Sequence, residues 1–271
     1  MEAPRRPQRV KKPAIPADYE VYNTEKFQME DDPTSFEEAT RSDHSSKWLE
    51  AIEDEMKSMN ANIVWDLEII PKEAKTVGCK WVYKTKLDSQ GNIERYKARL
   101  VAKGFTQREE IDYNETFSPV SCKDSFIIIM ALVAHYDLEL YQMDVKTAFL
   151  NGDLEKNIYM AQPKDFIVEG KERMGCCLKK SIYGLKQASR QWYLKFDSTI
   201  RKFGFKKNVE DNCVYTKFKN GKYIFLILYV DNILLASSGV NLLLEMKKFL
   251  SLNFDMKDLG KALFALGIEI H

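Results

Sequence analysis

Two aspartates stand where a buried strand does not ordinarily place a charge. In "YIFLILYVDN", the apolar run from Ile224 to Val230 passes directly into Asp231 and then Asn232. Such a run marks a strand covered on both faces, where an ionised group is costly unless it is paired or holds a metal. In "LELYQMDVKTAFLNGDL", Leu138, Leu140 and Tyr141 belong to a strand that ends at Asp144, ahead of a turn at Asn151-Gly152. Either carboxylate alone is equally explained by a strand that simply reaches solvent. Two strands delivering carboxylates in an α+β pattern supply what a two-metal site requires: hard oxygen ligands on rigid neighbours. Two Mg²⁺ ions about 4 Å apart would then activate an attacking oxygen and neutralise a leaving pyrophosphate.

A second cluster carries the opposite charge. "CKWVYKTK" (79–86) and "IERYKARLVAK" (93–103) flank the turn residues "DSQGN", the pattern of a hairpin. Arg95, Lys97, Arg99 and Lys103 share one strand parity, as do Lys80, Lys84 and Lys86 in the first arm, while Tyr96, Ala98, Leu100 and Ala102 take the other face. Residues 79–107 hold seven basic and two acidic residues, a local charge of +5 in a chain whose net charge is +1. Lysines that protect a sheet edge account for some of this; a surface that meets phosphates also fits.

The elements that must position these groups follow from pattern. The chain has 271 residues, 45% hydrophobic and 30% charged, enough for one large or two ordinary domains with real cores. With net charge so small, affinity for nucleic acid must come from local clustering. Cys79, Cys122, Cys176, Cys177 and Cys213 form no C-x-x-C pair, and His44, His135 and His271 lie too far apart for a zinc site, so a reducing compartment is expected. The apolar stretches "FIIIMALVA" and "IFLILYV" are shorter than the roughly 18 residues that span a bilayer, and no signal pattern opens the chain, so no membrane partner is expected.

Residues 1–34, with Pro4, Pro7, Pro13 and Pro16 among basic residues, read as a disordered linker. Order is expected from Ser35, where Phe36, Trp48, Ile52, Met56 and Met59 mark an amphipathic helix ending near residues 60–62. Phe126–Ala134 predicts a helix apolar nearly all round and therefore buried. Ala188, Trp192, Phe196, Ile200 and Phe203 mark a long amphipathic helix, and Asn220-Gly221 a tight hairpin turn. The order of elements predicts an α+β fold, a mixed, largely antiparallel sheet with helices packed on one side.

"WVYKTK", "RYKARLVAKGFTQ", "IDYNETFSPV", "QMDVKTAFLNGDL", "IYMAQP", "KSIYGLKQASRQW", "LYVDN" and "LGIEI", in this order, closely resemble the reverse transcriptase of copia-type LTR retrotransposons. The resemblance covers about residues 30–271 and implies a right-hand polymerase whose fingers and palm occupy 35–271, with the family's thumb and RNase H expected to be absent from this sequence. It implies an RNA-directed DNA polymerase using two Mg²⁺ ions, with Mn²⁺ as a substitute. Its partners would be an RNA or DNA template with primer, deoxynucleoside triphosphates and the remaining polyprotein domains. Its place would be the cytoplasm, within a virus-like particle if the element is active. By the same resemblance Asp144, the Val145 carbonyl and Asp231 hold metal, and Phe149 sits beside the incoming sugar, excluding a 2′-hydroxyl. Lys97, Arg99 and Lys103 would meet the nucleotide, with Gly184 and Gln187 in the adjoining loop. Lys80, Lys84 and Lys186 would meet template or primer, and Leu266-Gly267 form the primer grip.

The sequence departs from the family pattern at two places. Asn232 stands where the family has the second aspartate of its pair, and Glu110 where a glycine is usual. A degenerate, catalytically silent transposon remnant that at most binds nucleic acid is therefore the alternative reading.

Overall fold

The computed structural model describes residues 32–88, 90–265 and 268–270. The chain begins with two helices, α1 (Phe36–Arg41) and α2 (Ser45–Ala61), followed by strands β1 (Trp65–Ile69), β2 (Thr76–Val77), β3 (Cys79–Leu87) and β4 (Ile93–Ala102). Next come α3 (Lys123–Tyr136), β5 (Glu139–Val145), β6 (Asp153–Met160), β7 (Met174–Lys180) and α4 (Ala188–Lys202). Strands β8 (Lys206–Lys207), β9 (Val214–Lys219), β10 (Lys222–Tyr229) and β11 (Asn232–Ser237) lead to α5 (Val240–Asn253). The last strands are β12 (Met256–Lys261), β13 (Phe264–Ala265) and β14 (Ile268–Glu269).

The single helix expected from Ser35 is two. The Ser35 hydroxyl accepts from the Glu38 N–H at 3.1 Å and the Glu38 carboxylate accepts from the Thr34 N–H at 2.8 Å, a reciprocal cap that starts α1. Ser42 is extended, which ends α1 before α2 begins. On α2, Trp48, Ile52 and Met59 are buried against the apolar face of β3–β4, where Tyr83, Ala98 and Leu100 lie. This core continues into a small sheet ordered β1-β7-β6-β2, in which β2 pairs parallel to β6.

The larger sheet is ordered β12-β5-β11-β10-β9-β8, and every neighbouring pair in it is antiparallel. Asn220 and Gly221 both take positive φ (50° and 73°) between paired Lys219 and Lys222, the geometry of a two-residue primed turn. Ile224, Leu226, Leu228, Ile233 and Leu235 face α4 and α5, packing on Trp192, Phe196, Ile200, Leu243 and Met246. Ile227, Leu234 and Ala236 face the other way, onto Phe126 and Ile129 of α3. The apolar run in β10 is thus covered on both faces, as its sequence predicts, and for that reason helices lie on both sides of the sheet rather than on one. The expectation for α3 also needs correction: only Phe126 and Ile129 are buried, whereas Ile127 and Ile128 are about 60% exposed, because the helix touches the sheet along one side only. Among the described residues no helix is long and apolar enough to cross a membrane. Most of the expected 1–34 linker and both expected primer-grip residues, Leu266 and Gly267, lie outside the described residues.

Candidate active site

Asp144 lies one residue from the end of β5, in the middle of three strands: its Cα partners are Asn232 on β11 and Lys257 on β12. Strand alternation puts Leu140, Gln142 and Asp144 on one face of β5. α3 covers that face at Leu140, and the Asp144 end opens into a cleft. Asp231 reaches the same place through the two-residue turn joining β10 to β11, where Tyr229 pairs with Asn232. Val230 in that turn holds φ +57°, a left-handed conformation costly for a β-branched residue. Two contacts hold it there: the Trp192 Nε1–H donates to the Val230 carbonyl at 2.6 Å, and the Val145 N–H donates to the Asp231 carbonyl at 2.8 Å. The second bond stitches the two carboxylate-bearing segments together.

Burial and the neighbouring Asp231 raise the Asp144 carboxyl above its ordinary range, against the opposing pull of Lys97, Lys257 and Arg95. Two carboxylates in one cleft that Val145 also lines are oxygen donors of the kind a hard divalent cation takes. Asn232 adds an amide. Its Nδ2–H donates to Asp231 Oδ1 at 3.2 Å and its Oδ1 accepts from Gln142 Nε2 at 2.9 Å. Asp144 and Asp231 supply two carboxylates to the cleft and Asn232 an amide in place of a third; among the described residues no cluster of three or more His, Cys, Asp or Glu is placed to hold a metal ion.

The facing wall of this cleft, of about 750 Å³, is α2 and β4. The register of the hairpin sets Lys84 opposite Lys97, Lys86 opposite Arg95 and Val82 opposite Arg99, so the basic residues share a face as parity predicts. Arg95, Lys97 and Arg99 line the cleft itself, while Lys80, Lys84 and Lys86 carry the same face beyond it. Among the described residues none of these six makes a salt bridge to a carboxylate. Burial, then Arg99 and Arg95, push the Lys97 ammonium down to about 8, with Glu55 opposing. Glu55 is buried beneath them, accepting from the Leu100 N–H at 3.4 Å.

The loop after β7 closes one end. The Ala102 N–H donates to the Tyr183 carbonyl at 2.8 Å, and Gly184 takes φ +87° so close to β4 that an added Cβ would lie 2.2 Å from the Ala102 carbonyl oxygen. Arg99 lies over the Tyr183 ring at 4.6 Å, and the Phe149 and Tyr183 rings meet edge to face with centroids 5.1 Å apart. Tyr183 lines the cleft; Phe149 is half-buried behind it. Gln187 is buried, accepting from Gln107 Nε2 at 3.1 Å and donating to the Asp112 carbonyl at 3.3 Å. Lys186 Nζ donates to the Gln107 carbonyl at 3.0 Å. Lys103 is exposed at the end of β4, its N–H bonded to the Gly78 carbonyl at 2.7 Å. The structure thus gathers Asp144, Val145, Asp231, Lys97 and Arg99 around one cleft, and leaves Lys80, Lys84, Lys103, Phe149, Gly184, Lys186 and Gln187 outside its lining. Tyr183, Glu55, Gln142 and Lys257 were not singled out from sequence. The alternation in "QMD", which sets Gln142 and Asp144 on one face, was the available signal for one of them.

The carboxylates of Asp144 and Asp231 and the basic residues Arg95, Lys97 and Arg99 of β4 thus line one cleft. The model of the family "Reverse transcriptase (RNA-dependent DNA polymerase)" matches residues 62–271, and the chain belongs to that family. It is 46% identical over 251 residues to the retrovirus-related Pol polyprotein from transposon TNT 1-94 of Nicotiana tabacum, covering 92% of this chain and 19% of that polyprotein. To the corresponding polyprotein from transposon RE1 of Arabidopsis thaliana it is 38% identical over 224 residues, covering 82% of this chain and 15% of the polyprotein. The Ty1-BL Gag-Pol polyprotein of Saccharomyces cerevisiae is 26% identical over 219 residues, covering 78% of this chain and 12% of that polyprotein. The chain therefore spans less than a fifth of the length of these relatives.

Proposed function

We propose that this chain is the fingers and palm of a right-hand reverse transcriptase that extends a primer with deoxynucleoside triphosphates on an RNA or DNA template, beside the other domains of a polyprotein. The basic hairpin with α2 would be the fingers and the larger sheet the palm. One observation supports the reading: Asp144 and Asp231 reach a single cleft also lined by Arg95, Lys97 and Arg99, none of which makes a salt bridge to a carboxylate among the described residues. Like charges set opposite one another in register weaken a hairpin, so their retention fits a surface that takes up phosphates.

In this reading Asp144, Asp231 and the Val145 carbonyl would hold divalent cation, Mg²⁺ or in its place Mn²⁺, which supplies Lewis-acid activation and counter-charge when bound. Lys97 and Arg99 neutralise the triphosphate, Lys103 extends that surface, and Lys80 and Lys84 meet the template strand. Tyr183 and Phe149 stack into the wall beside the sugar. Gly184, Lys186 and Gln187 shape the loop bordering nucleotide and template, the last two through their bonds to Gln107.

Asn232 favours a second reading, a silent remnant that binds nucleic acid through the hairpin. Primer extension on a heteropolymer RNA template with Mg²⁺ separates the two. The polymerase reading expects slow incorporation that Asp144→Asn abolishes. Primer–template binding with no incorporation, even after Asn232→Asp, would leave only the remnant.

A further inference from the structure

Gln142 occupies the face of β5 that carries Asp144, diagonal to Asn232 across the β5–β11 pair. Its Nε2–H donates to Asn232 Oδ1, and the Asn232 Nδ2–H donates to Asp231 Oδ1, so two amides run in series to one carboxylate. The polarity of this chain is imposed at its end. A carboxylate only accepts, so the NH₂ end of Asn232 must face it and its oxygen must face Gln142. A divalent cation on Asp231 reverses that preference, since the cation favours the amide oxygen and rejects the amide hydrogens.

An Asn232 reversed in this way would set its NH₂ against the NH₂ of Gln142 unless Gln142 turned as well. Its neighbour on β12, Gly260, contributes no side chain, and an added Cβ there would meet nothing within 4 Å. An amide at 142 serves both polarities, leucine serves neither, and glutamate accepts from the reversed Asn232 alone.

We propose that Gln142 is a positioning residue whose amide turns in concert with Asn232, so that Asn232 donates to Asp231 in the metal-free chain and offers its oxygen to a divalent cation at Asp144 and Asp231. The inference rests on the metal centre proposed above. It assigns position 232 a partner, and explains how an asparagine there supplies a third oxygen donor.

The test combines Gln142→Leu and Gln142→Glu with Asn232→Asp, reading Mn²⁺ affinity by calorimetry and the side-chain amide NMR resonances during a Mg²⁺ titration. In the parent, the Gln142 and Asn232 amide resonances should move together with one midpoint. Gln142→Leu should weaken Mn²⁺ binding by about fivefold or more in the parent but by less than about twofold alongside Asn232→Asp, a coupling expected only of residues acting as a unit. Gln142→Glu should return the parent to within about twofold. An equal loss from Gln142→Leu in both backgrounds, or a Gln142 amide that Mg²⁺ leaves unmoved, overturns the proposal while the metal centre stands. If Asn232→Asp with Gln142 intact takes up no Mn²⁺, the metal centre falls and the inference with it.

Discussion

The lysines of β3–β4 and those around α5 are placed by opposite rules. Near α5, Lys219 meets Glu245 at 2.7 Å, Lys261 meets Glu139 at 3.4 Å and Lys247 pairs with Asp258. On the hairpin, Lys84 faces Lys97 and Lys86 faces Arg95, and among the described residues none of the four makes a salt bridge to a carboxylate, although Glu94 and the buried Glu55 lie near them. The three lysine charges near α5 are neutralised within the chain. The hairpin charges repel one another and are only partly offset by Glu55 and Asp144, which is what the proposed phosphate-binding wall would require. The difference lies in which groups stand opposite, not in how many cations each region holds.

Separating the hairpin wall from the carboxylate wall should have the largest effect. Gly184→Ala places a Cβ against the Ala102 carbonyl in a left-handed position, so the loop must leave β4; we expect a loss of about 3 kcal/mol, read as a lower midpoint in urea. Next is the triple variant Lys97→Ala, Arg99→Ala, Lys103→Ala. Its primer–template affinity should fall, and the slope of log affinity against log salt should flatten by about 2 to 3. An unchanged slope removes the hairpin from the binding surface.

A smaller effect comes from Lys97 alone. Burial and its basic neighbours hold the free ammonium down at about 8, and a bound phosphate draws it back up. Binding is therefore strongest below pH 8 and weakens as pH rises through 8 towards the higher value in the complex. We expect a three- to tenfold loss (roughly) between about pH 7 and 9, absent in Lys97→Arg, whose charge does not titrate there. The control is Lys219→Ala, whose paired cation should leave the salt slope where it was.

What sequence made legible follows from the same contrast. Asp144 and Asp231 were visible because each breaks an apolar strand, and the basic face because strand parity is rigid and β3–β4 holds its register through Lys86. The primed turn at Asn220-Gly221 was legible for its left-handed requirement. Tyr183 was not, since an aromatic in a loop reads as core until Arg99 is seen over its ring. Nor was the burial of Gln187, which depends on Gln107, distant in sequence and brought near only by Gly184 and Gly104 closing on each other. The α3 exposure was misread because an all-apolar helix carries no stripe to say which side is covered.

The central claim is that Asp144 and Asp231 form the metal centre and that Asn232 weakens it. Two unit charges about 4 Å apart at an effective dielectric of about 20 interact by roughly 4 kcal/mol, and each ~1.4 kcal/mol is tenfold in rate, so in the proposed polymerase one missing carboxylate would slow incorporation by about 10² to 10³. The most direct measurement is single-nucleotide incorporation by the parent and Asn232→Asp across a Mg²⁺ and Mn²⁺ titration, with Asp144→Asn as the inactive control. Asn232→Asp should incorporate at least about tenfold faster with primer–template affinity unchanged. Parent and variant incorporating alike while both bind primer–template would contradict the assignment of position 232 to the metal centre.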